Sequence, residues 1–238
     1  NNVKEDYNFA TPKNCWDESS TKAHWRNRES GQPFFSVFNF MTTHQSRTRY
    51  GLDKLQEVNK TLAPEERHDP AEAPLPPYYP DTPDVRTNVA AFHTQFTLMD
   101  KQVKELLDQL EEDGLAENTI VFFYGDHGNG LPRAKRWLYD SGTRVPLIVR
   151  IPERFRTVGQ AEAGTTDDRL VNLIDLGPTL LNLIGLDVPE HMQGQAFLGS
   201  DLPQRRDYIF GARQRIDALH AMVRAVRDSR YRYVRNFM

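Results

Sequence analysis

Two runs of β-branched and aromatic residues, 119–124 (TIVFFY) and 145–151 (VPLIVRI), bracket a stretch that opens on Gly125, Asp126, His127 and Gly128 and continues as a polar, basic loop. Runs of that length and composition read as strands buried on both faces. A buried strand that ends in glycines and polar side chains marks a ligand edge, because loops on a rigid scaffold carry function. In a straight strand Asp126 and His127 would face opposite ways. The flanking glycines free the backbone to turn both side chains toward one centre. Lys135 follows nine residues after Asp126, in a loop that also holds Arg133 and Arg136. A metal-holding carboxylate facing cations suits a dianionic ester, since cations stabilise charge on the non-bridging oxygens as the leaving group departs. The alternatives at this point are an Asp-His pair exposed in a turn and three basic side chains that are simply solvated.

The rest of the chain supplies a scaffold of α/β type. Val89, Phe92, Phe96, Met99, Val103, Leu106 and Leu110 recur at three- and four-residue steps and predict one amphipathic helix over about residues 84–113, ended by Gly114. His93, beside that stripe, reads as a structural histidine. Residues 33–42 (PFFSVFNFMT) predict a buried strand, with His44 just past its end. The proline-dense stretch 62–83 reads as a loop that either rims a pocket or crosses the surface. Residues 170–186 predict a largely apolar helical segment reset by Gly177 and Pro178, and residues 222–226 and 231–234 an antiparallel hairpin. The first thirty residues have no clean period. Helices alternating with strands favour a mainly parallel sheet sandwiched by helices, with ligands at the carboxyl ends of the strands and a small C-terminal antiparallel hairpin or sheet.

Composition narrows the function. At 238 residues with 38% hydrophobic side chains the chain can bury a sizeable core. A formal net charge of −3 argues against a nucleic-acid binder held mainly by long-range charge. The single cysteine, Cys15, excludes an internal disulfide and any multi-cysteine metal site. No run approaches a membrane span, and the opening NNVKEDYNFATPKN has neither the basic nor the apolar region of a signal peptide. The expectation is a sequence that starts downstream of the true N-terminus.

The order strand, Gly-Asp-His-Gly, loop, Lys-x-x-x-Tyr-Asp-x-Gly-x-Arg-Val-Pro, strand resembles the C-terminal part of the sulfatase core, within the alkaline phosphatase superfamily. VNLIDLGPTLLNLIGLDVPEHMQGQAFLG, with its Asp-x-x-Pro-Thr, resembles the family's helix and following loop. PFFSVFNFMTTHQS resembles the strand that delivers an active-site histidine, and MVRAVRDSRYRYVRNF the small antiparallel sheet of bacterial members, some of them related to heparan N-sulfatase. The resemblance covers roughly residues 33–237. It implies residues 1–205 as the C-terminal part of the catalytic core and 206–238 as the start of a small antiparallel subdomain.

Residue by residue, the resemblance implies that Asp126 and His127 ligate a divalent metal, and that Lys135 touches the sulfate oxygens and the leaving-group side. His44 would hydrogen-bond the sulfate or protonate the leaving oxygen, work suited to an imidazole; the other reading of His44 is a cap on backbone groups. Arg133, in the same cationic loop as Lys135, counts as a further anion contact. Many members have Asn in place of His127. Calcium is expected first, with magnesium or manganese as alternatives, because imidazole is an unusual ligand for so hard a cation. The substrate implied is a sulfated sugar, as an O-sulfate ester or N-sulfamate, and the compartment periplasmic or extracellular.

The family's nucleophile is a formylglycine made from Cys or Ser in Cys/Ser-x-Pro/Ala-x-Arg, and no such motif occurs in these residues. Cys15, followed by Trp16, Asp17 and Glu18, reads as an ordinary thiol, and Asp17-Glu18 is a poor stand-in for the family's early metal-binding Asp pair. The expectation is a chain that lacks the N-terminal half of the site, with weak metal binding and no turnover alone. Two alternatives remain open: a phosphodiesterase, phosphonate hydrolase or phosphatase of the same superfamily, and a noncatalytic sulfate-binding module. Arg213 and Arg215 are lesser candidates for facing substrate.

Overall fold

The computed structural model describes residues 4, 7, 9–156, 162–216 and 218–238. The chain divides into two compact units, Asn1–Val103 and Lys104–Met238.

In the first unit α1 spans Gln45–Thr48, α2 Leu52–Asn59, and α3 starts at Pro83 and runs to Glu112, beyond the unit boundary. Proline at the start of α3 lacks only an N–H that would have no helical partner there. The face of α3 that is buried contains Val89, Ala90, Ala91, Thr94 and Met99. Phe96, expected on the apolar stripe, is 37% exposed. Small residues let neighbours approach closely, and the polar ones are satisfied: Thr94 donates to the Asn59 side chain at 3.1 Å and Gln95 to the Tyr50 hydroxyl at 3.1 Å. Leu55 of α2 is fully buried. Gly114, with φ 67, ends α3, and the Gly114 and Leu115 N–H groups return to the Glu111 and Leu110 carbonyls at 2.9 and 2.8 Å. That pair of bonds is a Schellman cap, which needs the left-handed residue only glycine adopts freely.

The strand expected at residues 33–42 is not formed. A strand exists only against another strand's ladder, and every strand among the described residues lies in the second unit. Its aromatic side chains serve a cluster instead. Trp25, 4% exposed, meets Phe34 at 5.9 Å and the edge of Phe38 at 5.5 Å. The proline-dense stretch is irregular apart from the 3-10 turns Pro64–Glu66 and Pro70–Glu72, each opening on proline.

In the second unit β1, Val121–Tyr124, is followed by the short helix α4, Asp140–Thr143, and by β2, Leu147–Arg150. After α5, Leu176–Leu183, come β3, Ile209–Ile216, β4, Leu219–Arg227, and β5, Arg232–Asn236. Both sheets are antiparallel: β1 pairs with β2, Val121 opposite Arg150, and β3, β4 and β5 form a meander. The expected parallel sheet is not seen among the described residues. A parallel pair needs a crossover that returns the chain in the same direction, whereas the segment after β1 doubles back. The expected hairpin is present, widened by β3, which the sequence reading missed. No helix among the described residues is long and apolar enough to cross a membrane.

α5 begins beneath a buried carboxylate. Asp175, 2% exposed, accepts from the Asn172 and Gln195 backbone N–H groups at 2.7 and 2.8 Å and pairs with Arg206 at 2.7 Å. Gly177 and Pro178 fall in the first turn of α5, where proline costs no helical bond.

Candidate metal and anion site

β1 delivers the Gly125–Gly128 turn, and the segment around α4 pins it from the other side. Gly125 donates to the Pro146 carbonyl at 3.1 Å and Gly128 to the Gly142 carbonyl at 2.9 Å. A Cβ on Gly128 would sit 2.0 Å from the Ser141 carbonyl oxygen, and one on Gly142 would sit 2.1 Å from the Trp137 oxygen. Glycine at both positions is therefore required by close backbone approach rather than by φ.

The turn brings Asp126 and His127 together. His127 Nε2 lies 3.5 Å from an Asp126 carboxylate oxygen, both side chains being substantially exposed. His127 Nδ1 is 2.7 Å from the Gly128 carbonyl, which can only accept, so Nδ1 carries the proton. In the neutral ring this leaves the Nε2 lone pair beside the carboxylate. Two ligand atoms on one divalent cation are separated by about 3–3.5 Å, given bond lengths of about 2.0–2.4 Å. A metal-ligating histidine also characteristically donates its other N–H to a carbonyl or carboxylate. The pair thus fits one edge of a coordination shell. Among the described residues no group of three or more His, Cys, Asp or Glu side chains is arranged to hold a metal ion. Burial, and then the Asp126 charge, push the nearby Tyr124 phenol above its ordinary value.

Lys135 follows in a tightly turned loop. Its backbone N–H donates to the Asn129 carbonyl at 2.9 Å, the neighbouring Ala134 is buried, and Arg133 and Arg136 have φ of 65 and 75. Non-glycine residues in this region carry a backbone cost of about 1–3 kcal/mol each and gather at functional sites. Arg133 lies over the Tyr139 ring at 4.8 Å, and the Trp137 and Tyr139 rings are parallel within 10°. The C-terminal sheet holds this loop. Asp140 receives Arg227 at 2.5 Å and Arg232 at 2.9 Å, while Arg232 also donates to the Leu138 carbonyl at 2.8 Å and the Thr143 hydroxyl at 2.6 Å. Sequence reasoning missed this clamp, whose partners are 87 and more residues apart.

The remaining candidates fall elsewhere. His44, in the first unit, caps α1: its Nδ1 accepts from the Ser46 N–H at 3.3 Å and lies 2.8 Å from the Ser46 hydroxyl. The capping reading therefore holds for one ring nitrogen, and a neutral ring keeps its proton on Nε2. Cys15 is exposed and free, and Glu18 accepts from Asn27 at 2.8 Å. His93 lies against His68, ring centroids 5.6 Å apart, and both line an open cavity of about 230 Å³ with Arg67, Asp69, Glu72 and Pro74. Burial holds both imidazoles below their ordinary 6.5. Asp126, His127 and Lys135 share the second unit.

The sulfatase family's sequence profile matches residues 1–186. An ulvan-active sulfatase of Formosa agariphila is 42% identical over 262 residues, covering 100% of this chain and 43% of that protein. N-sulphoglucosamine sulphohydrolase of Homo sapiens is 30% identical over 173 residues, 68% of this chain and 34% of that enzyme. A phosphonate monoester hydrolase from Silicibacter pomeroyi shares the fold at a TM-score of 0.54 and 21% identity, over 82% of this chain and 40% of its own. The chain thus shares its fold with that hydrolase. By sequence the chain belongs to the sulfatase family, whose members are hydrolases. It spans less than half the length of these curated relatives.

Proposed function

We propose that this chain supplies part of the metal and anion site of a sulfuric ester or sulfamate hydrolase that acts on a sulfated carbohydrate, and that it works within a longer polypeptide. The observation that carries the reading is the convergence of His127 Nε2 and the Asp126 carboxylate at 3.5 Å, with His127 Nδ1 committed to a backbone carbonyl. Asp126 and His127 would hold a divalent cation, calcium first, with magnesium or manganese as alternatives. Bound there, the cation would polarise the sulfate and offset charge that builds on its oxygens. Lys135, with Arg133 in the same loop, orients the sulfate and stabilises the departing oxygen. For His44 we propose a donor role through Nε2 toward sulfate, as the family resemblance implies. The nucleophile, a formylglycine in this reading, comes from outside these residues.

Support for the carbohydrate comes from the relatives, one named for activity on ulvan and one for N-sulphoglucosamine. A phosphonate ester is the second reading, favoured by the fold shared with a phosphonate monoester hydrolase. The test is sulfate release from sulfated mono- and disaccharides by the full-length protein containing this chain. Asp126→Ala and Lys135→Ala should each lower kcat by about a hundredfold or more while folding is retained. Near-wild-type rates in either variant, or turnover of phosphonate monoesters alone, would refute the assignment.

A further inference from the structure

We propose that Arg213, laid on the Trp137 ring, recognises a second anionic substituent, sulfate or carboxylate, on the saccharide whose scissile sulfate Lys135 addresses; the inference rests on that role of Lys135. The Arg213 guanidinium carbon is 4.4 Å from the Trp137 ring centroid, and Nη1 reaches the Arg136 carbonyl only at 3.5 Å. Among the described residues its Nε is buried with no hydrogen-bond partner. A buried donor left unmatched is costly, about 1–3 kcal/mol, so this guanidinium is not fully held by acceptors among the described residues. Among the described residues Arg213 forms no ion pair, whereas Arg227 and Arg232 on the same sheet are committed to Asp140.

The geometry also says what would bind. A guanidinium stacked on indole keeps its N–H fork in plane, the arrangement that grips sulfate or carboxylate through two donors. The register of β3 and β4 shifts between Arg213 and Arg215, a β-bulge of the kind that re-aims side chains beside sites. Trp137 and Tyr139, 38% and 39% exposed, stack on one another with ring centroids 5.9 Å apart, Arg213 lying over the first ring and Arg133 over the second. Arg133, Lys135 and Arg136 make the surroundings cationic. A neutral sugar would leave the guanidinium unmatched; an anionic saccharide would not.

The experiment compares dissociation constants of the 238-residue chain for glucosamine 6-O-sulfate, glucosamine 2-N,6-O-disulfate and a uronate-linked glucosamine 6-O-sulfate. The second anion should tighten binding about tenfold or more, and the better of the two dianionic sugars identifies the group read. Arg213→Gln should abolish that gain and leave the monosulfate constant within about twofold. Arg213→Lys, which keeps the charge without the fork, should recover only part of the gain, and Arg215→Gln should retain it. The inference is overturned by no gain in the native chain, by a gain that survives Arg213→Gln, or by equal loss in Arg215→Gln. If the gain is absent while monosulfate binding still depends on Lys135, Arg213 alone was misassigned. If Lys135→Ala leaves monosulfate binding unchanged, the role of Lys135 falls and this inference with it.

Discussion

Replacing Arg232 with Met keeps most of the side chain's length and removes every donor that ties β5 to the loop bearing Lys135. The native guanidinium donates to the Leu138 carbonyl at 2.8 Å, to the Thr143 hydroxyl at 2.6 Å and to Asp140 at 2.9 Å, with the side chain 16% exposed. A hydrogen bond from a charged group contributes about 1.5–3 kcal/mol. Asp140 is 55% exposed and keeps Arg227, so its share falls at the weak end. Relief of the guanidinium's own burial, which holds it below its ordinary value, offsets part of the loss. A net cost of about 2–3 kcal/mol follows. In urea unfolding followed by far-ultraviolet circular dichroism, that cost lowers the midpoint by about 0.7–3 M, given slopes of about 1–3 kcal/mol per M. Arg230→Met, at an exposed position, is the control and should change stability by less than about 0.5 kcal/mol. Equal midpoints for the two variants would refute the account of how the sheet holds the loop.

Asp175→Ala strands a largely buried Arg206 and two backbone donors, and should cost about 3–5 kcal/mol in the same assay. Adding Arg206→Met should recover part of that loss, and strict additivity would contradict the pairing. Gly128→Ala places a Cβ 2.0 Å from the Ser141 oxygen, so the Asp126–His127 turn must move; unchanged backbone amide shifts across residues 125–129 would count against that contact. Burial lowers the His68 imidazole, and burial followed by the His68 charge lowers His93, so the unfolded chain protonates first as pH falls through 6.5. Stability is therefore full above that pH and declines below it toward the lowered folded values, by up to about 1.4 kcal/mol per pH unit for each group. His68→Gln combined with His93→Phe should flatten unfolding free energy measured between about pH 7 and pH 5, and a slope as steep as the native one would contradict this.

Local signals made much of the structure legible. The three- and four-residue spacing from Val89 to Leu110 gave α3, and Gly114 its end, because helix period and cap are written in neighbouring residues. The strands around Gly125–Gly128 and the approach of Asp126 to His127 were legible from composition and glycine placement, but the strands are not buried as expected: no residue of either is buried, and Ile148 is 63% exposed. Residues 33–42 failed as a strand for a nonlocal reason: β-rich composition describes a surface that needs a partner, and none lies in the same unit. Nonlocality also hid the Asp140 clamp and the Arg213–Trp137 stack, which join residues far apart in sequence. One signal for β3 was available, since Ile209, Gly211, Arg213 and Phe210, Ala212, Gln214 divide by alternation, but Arg213 and Arg215 fall on the same face as Ile209 and obscure the period.

The central claim is that Asp126 and His127 bind one cation through a carboxylate oxygen and Nε2. Titrating the chain with Mn²⁺ and recording broadening of backbone amides tests it most directly. The amides of residues 125–129 should broaden first, Ca²⁺ in excess should restore them, and Asp126→Ala should abolish the effect without shifting amides in β4. Broadening that begins elsewhere, or that persists unchanged in Asp126→Ala, would contradict the claim.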